Sequence, residues 1–235
     1  MEAVLRRNLD DVRGRMAAAC QRAGRRVDEV LLVAVTKTVG AEIIRELAAL
    51  GVTDIGESRV QDAEHKRDAL GGKLGLRWHL IGHLQTNKVR LALHVFDRIH
   101  SVDSQHLAAE IDRRAEAGLT IPVLIEVNTS GEETKFGVAP DAVLALIESL
   151  RPLAHVRVEG LMTMAPFAED REAARPFFAR LRDLAEKARA ATSLPLPHLS
   201  MGMTQDFEVA IEEGATMVRV GTALFRGVGD QASAT

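Results

Sequence analysis

The lysine at position 37 follows a strongly apolar segment of the chain. Residues 30–35 are all apolar, and only Thr36 separates them from Lys37. The other lysines lie in helical or loop contexts with solvent within reach. A lysine at the end of a buried strand can extend its ammonium group to the solvent. Alternatively, burial can lower the pKa of the amine, which then forms a Schiff base with a carbonyl group.

Two short segments near the end of the sequence contain groups that bind anions. Ser-Met-Gly at 200–202 and Gly-Thr at 221–222 supply hydroxyls and unhindered backbone N–H groups, and helical patterns follow both segments. The N–H groups at the start of a helix are suited to binding phosphate. The alternative is that these glycines only permit tight turns.

Eight apolar segments alternate with helical patterns, and this order predicts a parallel sheet with helices outside it. Eight βα units close into a barrel. The predicted fold class is therefore α/β, a single (β/α)8 TIM barrel in one domain spanning residues 1–235, and a doubly wound open sheet is the alternative. The predicted strands are 30–35, 52–56, 78–81, 98–102, 123–127, 156–162, 198–201 and 217–221.

The helical patterns include one that precedes the first strand. Residues 1–27 are predicted to form this extra N-terminal helix and a linker, and residues 228–235 are predicted to form a frayed tail. Leu84 and Leu91 mark a helix after the third strand. Pro176 either opens or kinks a later helix. The apolar residues of that helix are Phe177, Leu181, Leu184 and Ala188.

In a TIM barrel the functional residues lie at the C-terminal ends of the strands. Segments 200–202 and 221–222 follow strands seven and eight, where barrels commonly bind phosphate. Together with Lys37 they predict a ligand with an aldehyde at one end and a phosphate at the other. Pyridoxal 5′-phosphate (PLP) fits, and phosphorylated sugar aldehydes fit too. The other polar or small residues at strand ends are Glu57, Ser58, Gly82, His83, Ser101, Asp103, Asn128 and Thr163.

The composition excludes several functional classes. The formal net charge is −3 and aromatic residues make up 3% of the chain, so a nucleic-acid partner is not expected. The single cysteine, Cys20, excludes an intramolecular disulfide. The sequence contains no signal-like N-terminus and no apolar segment of about 20 residues, so we expect a cytoplasmic protein without a membrane partner. His79 and His83 lack the setting of a zinc motif, and no metal is predicted.

Longer motifs lie at or near the predicted strand ends: VAVTK (33–37), GESRVQ (56–61), WHLIGHLQTNK (78–88), EVN (126–128), GEETKFG (131–137), GLMTM (160–164), HLSMGMTQD (198–206) and VRVGTALF (218–225). Together they resemble the pyridoxal phosphate homeostasis protein family, in the expected order from residue 31 to residue 227. That family is similar to the barrel domain of alanine racemases, a fold-type III PLP-binding barrel, without their second, β-rich domain. The resemblance implies PLP as the cofactor.

The resemblance also implies roles for particular residues. Lys37 would hold PLP as a Schiff base, and Arg219 would face the pyridine nitrogen. Ser58 stands where the family usually has Asn, and its hydroxyl can still donate one hydrogen bond. No catalytic residue is established. The phosphate would be bound by Ser200, Met201, Gly202, Gly221 and Thr222.

Two features of the sequence argue against catalytic turnover, namely Arg219 and the absence of tyrosine. A guanidinium only donates hydrogen bonds and stays protonated, so it would keep the pyridine nitrogen unprotonated and the ring a poor electron sink. In alanine racemases the second base is a tyrosine, and this sequence contains none. His83 and Asp103 are the remaining candidates for that base.

The predicted function is therefore PLP homeostasis, in which the protein binds, buffers or delivers PLP without established turnover. A PLP-dependent amino-acid racemase of low activity is the alternative, and a sugar-phosphate aldolase is a third interpretation. The predicted partners are PLP and apo forms of PLP-dependent enzymes, and the chain is expected to be a monomer.

Overall fold

A computed structural model describes residues 1–71, 74–132 and 134–228. Within them, eight parallel strands form a closed barrel in sequence order, and the last strand pairs with the first. This closure confirms the predicted TIM barrel and excludes an open sheet. The strands are β1 (Leu31–Val35), β2 (Asp54–Glu57), β3 (Arg77–Leu80), β4 (Arg98–Val102), β5 (Ile121–Glu126), β6 (Val156–Met162), β7 (His198–Ser200) and β8 (Met217–Val220).

Helices surround the barrel, and each strand is followed by at least one. In the described residues they are α1 (Glu2–Arg22), α2 (Ala41–Ala49), α3 (Val60–Leu70), α4 (Val89–Val95), α5 (Gln105–Arg114), α6 (Val143–Leu150), α7 (Arg175–Thr192), α8 (Phe207–Glu212) and α9 (Thr222–Phe225). No helix in these ranges is both long enough and apolar enough to cross a membrane.

Two helical predictions need correction. Leu84 is buried, but it lies in the loop before α4, because that helix begins only at Val89. Pro176 occupies the first turn of α7 and opens it, but the buried aromatic residue is Phe178 rather than Phe177. The buried face repeats every three or four residues from Phe178, which leaves Leu184 only half-buried beside it.

The predicted N-terminal helix is α1, which packs against α8 and α9 beside the end of the barrel. Its buried stripe includes Leu5, Leu9 and Val12. Asn8 Nδ2 donates to the carbonyl oxygen of Leu224 at 3.0 Å, which ties α1 to α9. Val228, the first residue of the predicted tail, is buried. The rest of that tail, residues 229–235, lies outside the described residues.

A bulge in β6 sets the position of β7. Val123 of β5 opposes Val158, but the next residue of β5 opposes Gly160, so Glu159 is the extra residue. A Cβ at Gly160 would lie 1.9 Å from the carbonyl oxygen of His198 in β7. Only glycine permits this approach of the two strands. The register that results places Met162 opposite Ser200.

We expect Gly160→Ala to lower the free energy of unfolding by about 3 kcal/mol, because backbone must move to relieve the overlap. Gly14→Ala is the matched control. Gly14 is exposed within α1, and a Cβ there meets nothing within 4 Å, so this substitution should raise the free energy of unfolding by about 0.5–1 kcal/mol. Urea denaturation followed by the fluorescence of the single tryptophan measures both. An unchanged midpoint for Gly160→Ala would contradict the account of the bulge.

Candidate functional site

Lys37 lies at the mouth of the barrel, in the turn that follows β1. Its side chain lines a cavity of about 280 Å³. Lys37 is exposed, because it lies in the turn beyond the strand, and this agrees with the first of the two alternatives, a side chain that extends to the solvent. The cavity brings Lys37 together with residues from the loops after β6, β7 and β8, among them Phe167, Arg171, Thr204, Asp206, Gly221 and Thr222.

A buried ion pair fixes the backbone next to Lys37. Lys66 Nζ, in α3, donates to the carbonyl oxygen of Thr36 at 2.8 Å and to Glu57 Oε1 at 2.7 Å. The Thr36 hydroxyl donates to the same Glu57 oxygen at 2.6 Å. Lys66 is one of the lysines predicted to have solvent within reach, yet its side chain is only 14% exposed. The interaction joins α3 to the end of β1, and no local pattern predicts it.

Gly221 and Thr222 lie where β8 ends and α9 begins, and both line the cavity. A Cβ at Gly221 would lie 3.1 Å from the carbonyl oxygen of Val35, so glycine allows β8 to approach the end of β1 closely. The backbone N–H groups of Gly221 and Ala223 donate to the Thr204 hydroxyl at 3.3 and 3.4 Å. Thr204 was not predicted as a site residue, because it lies inside a loop and does not follow a strand directly.

Segment 200–202 is not among the residues that line the Lys37 cavity. Gly202 has φ +91°, and a Cβ there would lie 2.6 Å from the Cβ of Ala210 in α8. Met201 is fully buried in the hydrophobic core. Neither Met201 nor Gly202 is among the described residues that line the cavity around Lys37. Gly202 therefore permits a tight turn against a helix, and the role of the segment in binding phosphate stays a prediction.

Ser200 and Arg219 lie inside the barrel, and both side chains are buried. Arg219 Nη1 donates to Ser200 Oγ at 2.6 Å, and Nη2 donates to the carbonyl oxygen of Thr163 at 2.9 Å. The Ser200 hydroxyl also contacts His100 Nδ1 at 2.9 Å, so it is engaged by protein groups rather than directed into the cavity. Burial lowers the pKa of Arg219 to about 10, which leaves the guanidinium protonated at neutral pH.

Glu126, the last residue of β5, was not predicted as a site residue. Asn128 is the predicted strand-end group, but its Oδ1 accepts a hydrogen bond from the Gly131 N–H within its own loop. Glu126 is buried, and burial together with the charge of Asp103 raises its pKa to about 7 despite the opposing charge of Arg219. A carboxyl group that titrates near neutral pH therefore lies close to the buried guanidinium.

The remaining predicted residues lie beyond the lining of the Lys37 cavity. Ser58 is half-buried, and its carbonyl oxygen would lie 2.4 Å from a Cβ at Gly82. His83 stacks on Phe136 with 4.1 Å between ring centroids, and its Nδ1 lies 3.8 Å from Asp103 Oδ2. Over the described ranges, no cluster of three or more His, Cys, Asp or Glu side chains is placed to hold a metal ion.

The raised pKa of Glu126 makes stability depend on pH. The folded state favours the protonated carboxyl, so its contribution is complete below about pH 4.5 and is lost as the pH rises through about 7. We expect Glu126→Gln to raise the free energy of unfolding of the ligand-free protein by roughly 3 kcal/mol at pH 8 and to change it little at pH 4. Urea denaturation at the two pH values tests this, and an equal effect at both would contradict it.

Comparison with known proteins identifies the family. Residues 8–228 match the family model described as alanine racemase, N-terminal domain. The curated pyridoxal phosphate homeostasis protein of Aquifex aeolicus (strain VF5) is 48% identical over 218 residues, which cover 92% of this chain and 95% of that protein.

Solved structures agree with this assignment. PipY of Synechococcus elongatus PCC7942, solved with PLP bound, superposes with a TM-score of 0.83 at 36% identity, covering 94% of this chain and 99% of that chain. An alanine racemase of Clostridium difficile 630 shares the fold, with a TM-score of 0.75 at 17% identity over 94% of this chain and 56% of that one. The chain therefore belongs to the pyridoxal phosphate homeostasis protein family, whose barrel is the alanine racemase N-terminal domain.

Proposed function

We propose that this protein binds PLP as a Schiff base on Lys37 and acts in PLP homeostasis without catalytic turnover. The amine nitrogen of Lys37 attacks the aldehyde carbon of PLP, a carbon–nitrogen double bond forms, and one water molecule leaves. The observation that carries the proposal is the cavity at the barrel mouth, where Lys37 lies together with Gly221 and Thr222. An amine and a set of anion-binding groups in one cavity match the two ends of PLP.

The donors around the cavity fit the rest of the cofactor. The Thr222 hydroxyl and the backbone N–H groups at the start of α9 would bind the phosphate, where Thr204 now accepts hydrogen bonds from Gly221 and Ala223. Arg219 would donate to the pyridine nitrogen from below the cavity. Its charge also acts on Asp206, a residue of the cavity wall, and opposes the effect of burial on the pKa of that carboxyl.

The same arginine supports binding without turnover. PLP provides an electron sink for carbanion chemistry when its ring nitrogen is protonated. Arg219 remains a donor at neutral pH because its pKa is about 10, so it would keep that nitrogen unprotonated. The candidates for a second base, His83 and Asp103, do not line the cavity as described. A racemase reaction would therefore lack a strong electron sink, and neither predicted candidate for its second base lines the cavity.

Relatives support the same conclusion. The Aquifex aeolicus protein is named as a pyridoxal phosphate homeostasis protein, and PipY was solved with PLP. Apo forms of PLP-dependent enzymes as recipients, a monomeric state and a cytoplasmic location stay predictions.

Borohydride reduction tests the covalent attachment, because it converts a Schiff base into a stable secondary amine. We expect peptide mass spectrometry of the reduced PLP-loaded protein to find the adduct on Lys37, and Lys37→Arg to abolish it. Lys187→Ala, which removes an exposed lysine of α7, is the control and should leave the adduct unchanged. An adduct on Lys66 or on another lysine would overturn the assignment.

Hydrogen exchange separates homeostasis from amino-acid racemisation. We expect no sustained exchange of the α-proton when the PLP-loaded protein is incubated in D₂O with a panel of L- and D-amino acids, because Arg219 would keep the pyridine ring a poor electron sink. Proton NMR of the amino acids follows the exchange, with free PLP as the reference. Exchange well above that reference, abolished by Lys37→Arg, would support the racemase instead.

A further inference from the structure

A line of hydrogen bonds crosses the barrel interior from Asp54 to Arg219. Asp54 Oδ1 lies 2.9 Å from His79 Nε2, and His79 Nδ1 lies 2.9 Å from His100 Nε2. His100 Nδ1 lies 2.9 Å from Ser200 Oγ, which accepts from Arg219 Nη1 at 2.6 Å. None of the five side chains is more than 1% exposed. The line joins β2, β3, β4, β7 and β8, and the proposed binding of PLP uses only its last member.

The end of the line at β2 is an ionised carboxylate. Burial raises the pKa of Asp54, but the hydrogen bonds from His79, Arg77 and Thr53 outweigh burial and hold that pKa well below its usual value. Arg77 donates to both carboxylate oxygens, at 2.8 and 2.7 Å. An ionised carboxylate can only accept hydrogen bonds. His79 Nε2 therefore carries a hydrogen.

The remaining protons follow from this first one. Burial lowers the pKa of both histidines, so each ring is neutral and has one donor and one acceptor nitrogen. Since His79 Nε2 donates, His79 Nδ1 accepts, and His100 Nε2 must donate to it. His100 Nδ1 then accepts, and the Ser200 hydroxyl must donate to it. Ser200 Oγ is left with lone pairs only, which is what the Arg219 N–H requires.

We infer that Asp54, His79 and His100 are positioning residues for Arg219, because their hydrogen bonds form a one-way order that makes Ser200 an acceptor for the guanidinium. If the order ran the other way, His100 Nδ1–H and the Arg219 N–H would both donate to Ser200 Oγ. The serine hydroxyl would then no longer donate to His100, and its oxygen would be a poorer acceptor. The bond to the guanidinium would then be weakened. The inference rests on the proposed function in one respect, namely that Arg219 faces the pyridine nitrogen of PLP.

The order of protons is measured directly by ¹⁵N NMR of histidine side chains in the ligand-free protein. Long-range ¹H–¹⁵N spectra distinguish the two neutral tautomers, and His79→Gln and His100→Gln assign the signals. We expect both rings to be neutral at pH 7 with the hydrogen on Nε2. A hydrogen on Nδ1 of either ring, or a charged ring, overturns the inference. The tautomers themselves are read from the wild-type protein, and the two variants serve only to assign the signals.

Asp54→Asn tests whether the order reaches the site. The side chain keeps its shape, but its amide can donate to His79 Nε2 and reverse the tautomers of both histidines. We expect the dissociation constant for PLP to rise about tenfold, the effect of weakening one hydrogen bond that involves a charged group. The absorption maximum of bound PLP should shift as well. Asp97→Asn is the matched control, since Asp97 accepts from the Trp78 N–H and lies outside the line.

The outcomes separate the positioning role from the proposed function. Reversed tautomers with weaker PLP binding in Asp54→Asn, and neither change in Asp97→Asn, support the inference. Reversed tautomers with wild-type affinity and spectrum show that the order does not act on Arg219, and they overturn it. A wild-type protein that binds no PLP refutes the proposed function and, with it, any role toward the pyridine ring. The tautomer spectra still decide the proton order in that case.

Discussion

The interior of this barrel is organised around the burial of one positive charge. Arg219 extends from β8 into the barrel and is 1% exposed. Burying a guanidinium without partners is very unfavourable, so acceptors must surround it. Ser200 and Thr163 accept its hydrogen bonds, and the carboxylates of Glu126 and Asp206 oppose the effect of burial on its pKa. The part of the interior around Arg219 is therefore polar. A separate apolar cluster within the barrel is formed by Val33, Leu124, Met162 and Met217.

A second polar cluster holds the end of β1, the strand that pairs with β8. Glu57 and Lys66 pair outside the barrel wall, between β2 and α3, and bind the end of β1 through Thr36. Breaking a buried pair of this kind costs about 3–5 kcal/mol, so the end of β1 is firmly held. The flexible side chain of Lys37 begins one residue later. A fixed backbone next to an exposed amine suits the proposed attachment of PLP to Lys37.

The sequence predicted what is encoded locally. Apolar segments located all eight strands, and the order of elements indicated the barrel. Lys37, Gly221 and Thr222 were predicted because they follow strand ends, and the structure brings them together in one cavity. Lys66 and Glu126 were missed as interacting residues, since their partners lie elsewhere in the chain and are brought together only by closure of the barrel. The contact between His100 and Ser200, one hundred residues apart, has no local signal either. The predicted buried face of α7 was wrong by one position, since Phe178 is buried rather than Phe177.

A crystal structure of the protein grown with PLP tests the central claim, that the amine and the buried guanidinium hold opposite sides of one ligand. The account predicts a bond between Lys37 Nζ and the aldehyde carbon, and phosphate oxygens against the backbone of Gly221 and Thr222. It also predicts an Arg219 nitrogen within about 3 Å of the pyridine nitrogen. A phosphate bound near Ser58 and His83, or a ring nitrogen turned away from Arg219, would contradict it.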